Sequence, residues 1–169
     1  MKVRVVAKPF YLDNYLMPEA REYEDHLKAM RLLHNLKKLR INKFKGQCCV
    51  LLTRDNLIYE KKYPYEIFGL ASVEAPVIVV HGFDVTNPNY GNNIFFVTLH
   101  ELGHICDIFP KERKGSVETS KDGCIHCANT CVMHASKPIS RRMLSGKPFC
   151  DVCLYYLNKC TEKTKKDLK

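Results

Sequence analysis

Asn93-Ile-Phe-Phe-Val-Thr-Leu-His100-Glu-Leu-Gly-His104-Ile-Cys-Asp-Ile108 is the stretch on which the reading of this chain turns. Phe95, Phe96, Leu99 and Leu102 give a helix over 93–108 a wide apolar surface, as expected of a buried element that covers a sheet. On such a helix side chains four apart share a face, so His100 and His104 can reach one metal ion. Glu101 projects to an adjacent side, where a carboxylate can take a proton from a water that the metal activates. Two ligands and a general base within five residues are the larger part of a metal-dependent hydrolase. The bland alternative is a pair of ordinary helix histidines, and the rest of the chain weighs against it.

Upstream, Val3–Ala7 alternates like a first strand, and Pro18, Glu19 and Glu22 suit a helix start. Ala20, Tyr23, Leu27, Met30, Leu33 and Leu36 recur at helical spacing, which predicts a core-packing helix of about five to six turns ending near Lys37, Lys38 and Arg40. Cys48–Thr53 is β-prone, with turn residues at Arg54, Asp55 and Asn56. Ile67–Val73 reads as a strand with Gly69 at a bulge or close approach, and Pro76–His81 as another. Pro88, Asn89, Gly91 and Asn92 form the loop before the histidine helix. This order predicts an α+β fold, α/β/α-like: a twisted mixed β-sheet with a backing helix and an active-site helix, plus a small irregular cysteine-rich half. The expected organisation is one compact catalytic domain over 1–158, divided into a sheet-containing half (1–110) and a zinc-stabilised half (111–158), with a basic tail over 159–169.

The chain has 169 residues, 46% of them apolar and 27% charged, ordinary proportions for a globular domain with a real core. No apolar run approaches the roughly 20 residues needed to span a membrane, and the opening segment is too short and interrupted for a secretory signal. There are nine cysteines, and the clustering of Cys124, Cys127, Cys131, Cys150 and Cys153 reads as metal ligation in a reducing compartment, hence a cytoplasmic protein. Cys48, Cys49 and Cys106 lie in apolar segments and are expected as small core residues; Cys160 has no assignable role. The net charge of +9 raises polyanion affinity, but no pattern of stacking aromatics accompanies it, so solvated faces are the simpler reading.

The run His126-Cys127-Ala-Asn-Thr-Cys131-Val-Met133, with Phe149-Cys150-Asp-Val-Cys153 after it, resembles the archaemetzincins, metzincin-type zinc peptidases. Their pattern is His-Glu-x-x-His-x-x-Gly-x-x-His-Cys, then Cys-x-Met, then a later Cys-x-x-Cys. The resemblance implies a catalytic zinc on His100, His104 and His126, Glu101 as general base, and Met133 in a turn beneath the metal. It also implies a structural zinc on Cys127, Cys131, Cys150 and Cys153. Val50–Tyr59 and Ile67–Ala71 look like the family's sheet with its substrate-binding edge strand, so the likeness covers most of the chain.

The chain departs from that pattern after His104. Asp107 stands where the family has glycine, Pro110 stands where it has histidine, and Lys111–Ile125 reads as an inserted surface loop. Cys127 and Cys131 are also one residue closer than usual. Two wirings follow. In the favoured one His126 is the third catalytic ligand and Cys131 belongs to the structural zinc. In the other, Cys124-x-x-Cys127 and Cys150-x-x-Cys153 form the structural site, and Asp107, three residues past His104 on roughly the same face, completes the catalytic one. His26, His34, His81 and His134 carry no supporting pattern.

The expected function is hydrolysis of peptide bonds by water activated at zinc, with two zinc ions per chain. The expected partner is a peptide or protein substrate bound to a monomer, with no membrane. The alternative is a catalytically decayed, zinc-stabilised binding module for nucleic acid, motivated by the basic charge and the displaced third ligand.

Overall fold

The computed structural model describes residues 21–23, 26–43, 48–53, 55–59, 65–81, 90–110, 112–113, 115–120, 123–135 and 147–167. Val77-Ile-Val-Val has no polar position, which is the pattern of a strand covered on both faces. It forms β7 (Val77–His81), the centre of a three-stranded sheet. β3 (Cys49–Thr53) runs parallel to it, with Leu51 opposite Val79. β6 (Gly69–Ser72) runs antiparallel on its other side, with Leu70 opposite Val79.

Alternation along β7 distributes its side chains between two helices. Val77 and Val79 pack with Ala29, Leu32, Leu33 and Leu36 of α1 (Ala29–Lys43). Ile78 and Val80 pack with Val97, Leu102 and Ile105 of α2 (Tyr90–Ile105). Val77, Ile78, Val79 and Val80 are fully buried, and each such side chain contributes about 1.5–3 kcal/mol through removal from water. The result is a helix–sheet–helix arrangement, the expected fold class. A second mixed sheet has the order β1 (Arg21–Tyr23), β2 (His26–Lys28), β4 (Asn56–Tyr59) and β5 (Tyr65–Ile67), with β2 and β4 parallel and the outer pairs antiparallel.

Local expectations shift where tertiary pairing overrides periodicity. The first helix begins at Ala29, because Leu27 pairs with Leu57 and Arg21 in a ladder that a helix would forfeit. The expected strand Val3–Ala7 and the helix start at Pro18 lie outside the described residues. The expected strand Ile67–Val73 is divided at Phe68, so that Ile67 closes one sheet and Gly69 opens the other. A Cβ at Gly69 would stand 2.8 Å from Val97 Cγ1 and 2.9 Å from Glu101 Oε1, so glycine there allows the strand to lie directly against α2. Phe95 is exposed, while Phe96 is buried.

Beyond α2 the chain builds a third core from Phe96, Ile108, Cys127, Cys131, Val132, Met133, Phe149 and Cys153. This half is more regular than expected. Part of the presumed surface loop is β8 (Val117–Thr119), paired antiparallel with β9 (Ile125–Cys127). Asp151–Asp167 form α3, so Lys159–Asp167 of the expected basic tail continue a helix. Cys150, Cys153, Leu154 and Leu157 carry the helical spacing that announces it. Among the described residues no helix is long and apolar enough to cross a membrane.

The end of α2 is set by Asp107, whose φ of 51° lies in the left-handed region. The Ile108 N–H donates to the Gly103 carbonyl at 3.2 Å, the six-residue closure that turns a chain sharply out of a helix and here drives Ile108 into the core. A side chain in that region costs about 1 kcal/mol relative to glycine, partly offset by glycine's greater freedom when unfolded. Asp107→Gly should therefore raise the calorimetric Tm by a few degrees, and an unchanged or lower Tm would contradict the capping assignment.

Candidate metal centres

His100 and His104 occupy adjacent turns of α2, and their Nε2 atoms stand 3.1 Å apart. His126, on β9, brings a third ring. The ring centroids are separated by 4.9 Å for His100–His104, 5.1 Å for His100–His126 and 5.2 Å for His104–His126, a nearly equilateral triangle. One nitrogen from each ring lies within 4.8 Å of the other two. Zinc–nitrogen bonds of 2.0–2.1 Å set two nitrogens of a tetrahedral site about 3.3 Å apart, so the donor set fits zinc.

The tautomer of His100 is fixed by its surroundings. Its Nδ1 lies 2.7 Å from the Val132 carbonyl, which can only accept, so Nδ1 carries the proton and Nε2 presents its lone pair to the shared centre. Met133, the next residue, is fully buried beneath α2 at Gly103, where a Cβ would collide with the methionine sulfur. Glycine at this point of the pentapeptide therefore lets the turn methionine approach the helix.

Glu101 is buried between α2 and β6, and it accepts a hydrogen bond from the Ala71 N–H. Burial raises its carboxyl to about 8, against that hydrogen bond, which lowers it. Burial lowers His100 to about 4, opposed by the hydrogen bond to Val132. Both shifts disfavour the charged form, as removal of an ionisable group from water does.

The second group lies behind the first. The sulfurs of Cys127, Cys131, Cys150 and Cys153 are all within 4.8 Å of one another. Cys127 and Cys150 are 3.7 Å apart, Cys131 and Cys153 3.8 Å. A tetrahedral zinc with 2.3 Å bonds sets its sulfurs about 3.8 Å apart, so this spacing is that of a closed tetrathiolate site. The thiols compete for protons: a hydrogen bond from Cys153 pulls Cys131 down to about 5, while the same contact pushes Cys153 up.

Of the alternative ligands, Asp107 is exposed and belongs to neither group, and Cys124 is exposed in the turn between β8 and β9. Cys48 is exposed one residue before β3, which corrects the core expectation, while Cys49 and Cys106 are half-buried at core edges. His81 contacts the Asp55 carbonyl at 3.0 Å and His134 pairs with Glu118 at 3.7 Å, both apart from the metal groups. Two participants have no sequence signal. One is the Val132 carbonyl, a backbone group; the other is Arg113, buried against the cysteine sulfurs.

No protein-family model and no curated protein matches the chain. Among solved structures it is similar to archaemetzincin from Archaeoglobus fulgidus, solved in complex with malonate, with a TM-score of 0.51 and 19% identity over 83% of this chain and 76% of that one. It is also similar to a zinc-dependent peptidase from Methanocorpusculum labreanum, with a TM-score of 0.53 and 20% identity over 85% of this chain and 78% of the other. At these identities the likeness is one of fold.

The raised Glu101 carboxyl has a consequence for the metal-free protein. Between about 4.5 and 8 the folded state keeps a proton that the unfolded chain has released, so this group's contribution to stability is lost as pH rises through that window. Glutamine mimics the protonated form and has nothing to release. In chelator, Glu101→Gln should exceed wild type in Tm by several degrees more at pH 8 than at pH 5, measured by scanning calorimetry. An equal offset at the two pH values would contradict the burial of this carboxyl.

Proposed function

We propose that the protein is a zinc-dependent peptidase with two zinc ions, a catalytic one held by His100, His104 and His126 and a structural one held by Cys127, Cys131, Cys150 and Cys153. The observation that carries this reading is the convergence of three imidazoles beside a buried carboxylate at the edge of a sheet. When bound, the catalytic zinc supplies a Lewis acid that polarises a scissile carbonyl and acidifies water.

The remaining work falls to the chain's own groups. Val132 orients His100 through its carbonyl, so the lone pair faces the site rather than solvent. Glu101 takes the proton of the attacking water and returns it to the leaving amine. Its raised carboxyl suits the task, since a dication nearby draws the value back toward neutrality. Among the described residues β6 is the terminal strand of its sheet. The His81 N–H donates to the Phe68 carbonyl, so by antiparallel alternation the backbone groups of Gly69 and Ala71 face the open edge. An extended peptide adding to that edge along Phe68–Val73 would bring its scissile bond alongside Glu101. Cysteines gathered into a candidate metal group accord with a reducing compartment such as the cytoplasm.

Digestion of a peptide library by the zinc-loaded protein, read by mass spectrometry, tests the proposal. Glu101→Gln should lower turnover by about 100-fold or more while zinc content stays unchanged. Turnover surviving in that variant would remove Glu101 as the base. A wild-type protein that cleaves nothing yet binds RNA or DNA in a salt-dependent way would instead be a binding module.

A further inference from the structure

Arg113 is 7% exposed, and a guanidinium does not give up its proton. A buried charge of this kind costs several kcal/mol unless an opposite charge and hydrogen bonds offset it. Its contacts are few and well defined. Nη1 donates to the Ile108 carbonyl at 3.0 Å and Nη2 to the Ser116 carbonyl at 3.3 Å. Both nitrogens lie 3.5 Å from Cys153 Sγ, and Nη2 lies 3.5 Å from Cys127 Sγ. The Phe109 ring is 4.5 Å from the guanidinium carbon and the Tyr156 ring 5.4 Å. No carboxylate pairs with Arg113 among the described residues. Two carbonyls and two rings supply partial charge only, so among the described residues the sulfurs are the groups in contact with it that can bear a full negative charge.

We propose that Arg113 is the counter-cation of the tetrathiolate centre, a positioning residue that donates to the sulfurs of Cys127 and Cys153 and offsets the surplus charge of the metal site. This rests on the reading that the four cysteines hold zinc. Four thiolates around a dication leave a net charge of −2, and a guanidinium against two of the sulfurs reduces it to −1. Charge-assisted N–H donors to the sulfurs lower the cost of burying that centre. Both sulfurs touched by Arg113 belong to fully buried cysteines, whose charge water cannot screen.

The position of Arg113 also accounts for the segment Lys111–Ile125, which the family's spacing lacks. That segment delivers the cation, then β8, whose Val117 and Glu118 pair with Cys127 and His126. The Ala128 N–H donates back to the Ser116 carbonyl at 3.0 Å, the same carbonyl that Arg113 Nη2 uses. Phe109, under the guanidinium, has its ring 5.7 Å from that of His104. The inserted chain therefore reaches the thiolate centre through Arg113, while Val117, Thr119, Cys124 and Ile125 remain exposed.

The test is metal affinity of the full-length protein. Zinc affinity is measured by competition with a chromophoric chelator, and cobalt(II) identifies the site, since only thiolate ligation gives an intense sulfur-to-cobalt charge-transfer band. Arg113→Met should weaken zinc at the thiolate site by about tenfold or more. Arg113→Lys should restore most of that loss. Arg113→Gln, which keeps donors and removes the charge, should behave like the methionine variant and serves if the latter fails to fold. In a Cys150→His background, where the centre carries one negative charge less, the loss from Arg113→Met should be about half as large on a logarithmic scale. Unchanged affinity in Arg113→Gln, or an equal loss in both backgrounds, would make Arg113 a packing residue and overturn the proposal. A wild-type protein with no charge-transfer band would overturn the zinc reading of the cysteines themselves.

Discussion

The 2.7 Å hydrogen bond between His100 and the Val132 carbonyl ties together the two donor groups on which this structure depends. Val132 lies between Cys131, one of the four clustered sulfurs, and Met133, which fills the space under Gly103 of the histidine helix. His126 and Cys127 are likewise neighbours in β9, one facing each group, and the Cys127 N–H donates to the Met133 carbonyl at 2.8 Å. Within residues 126–133 the chain thus contributes to the histidine triangle, the sulfur cluster and the floor beneath them. Closing the sulfur cluster around a metal would fix His126 through its neighbour and His100 through a carbonyl, so the two centres share one support.

The other support is the buried strand Val77–His81. Its two apolar faces bind one helix behind the sheet and the histidine helix in front, which sets α2 relative to β6. Gly69 then allows contact close enough for Glu101 to meet the Ala71 N–H. The carboxylate stands at the sheet's open edge because a glycine on the strand removes the side chain that would push it away.

Legibility in the sequence followed how local each signal is. The histidine helix and the convergence of His100 and His104 are readable because helical geometry alone brings residues four apart to one face. The strands at Cys49–Thr53 and Val77–His81 were readable from unbroken β-prone runs. The region around Tyr23 and Leu27 misled because an apolar spacing of three and four fits a helix as well as a short strand whose partner, Leu57, is distant in sequence. The helix Asp151–Asp167 was hidden because Cys150 and Cys153 serve as candidate ligands and helix face at once. Arg113 and the Val132 carbonyl were not legible at all: one looks like any surface arginine, and the other has no side chain to betray it.

The proposed function requires two zinc ions, on two donor sets joined by residues 126–133. Anomalous diffraction across the zinc absorption edge, on crystals of the protein grown with zinc and washed free of excess metal, tests it most directly. The claim predicts two peaks per chain, one among the sulfurs of Cys127, Cys131, Cys150 and Cys153 and one among the nitrogens of His100, His104 and His126. A single peak, or a peak ligated by Asp107 or Cys124, would contradict it.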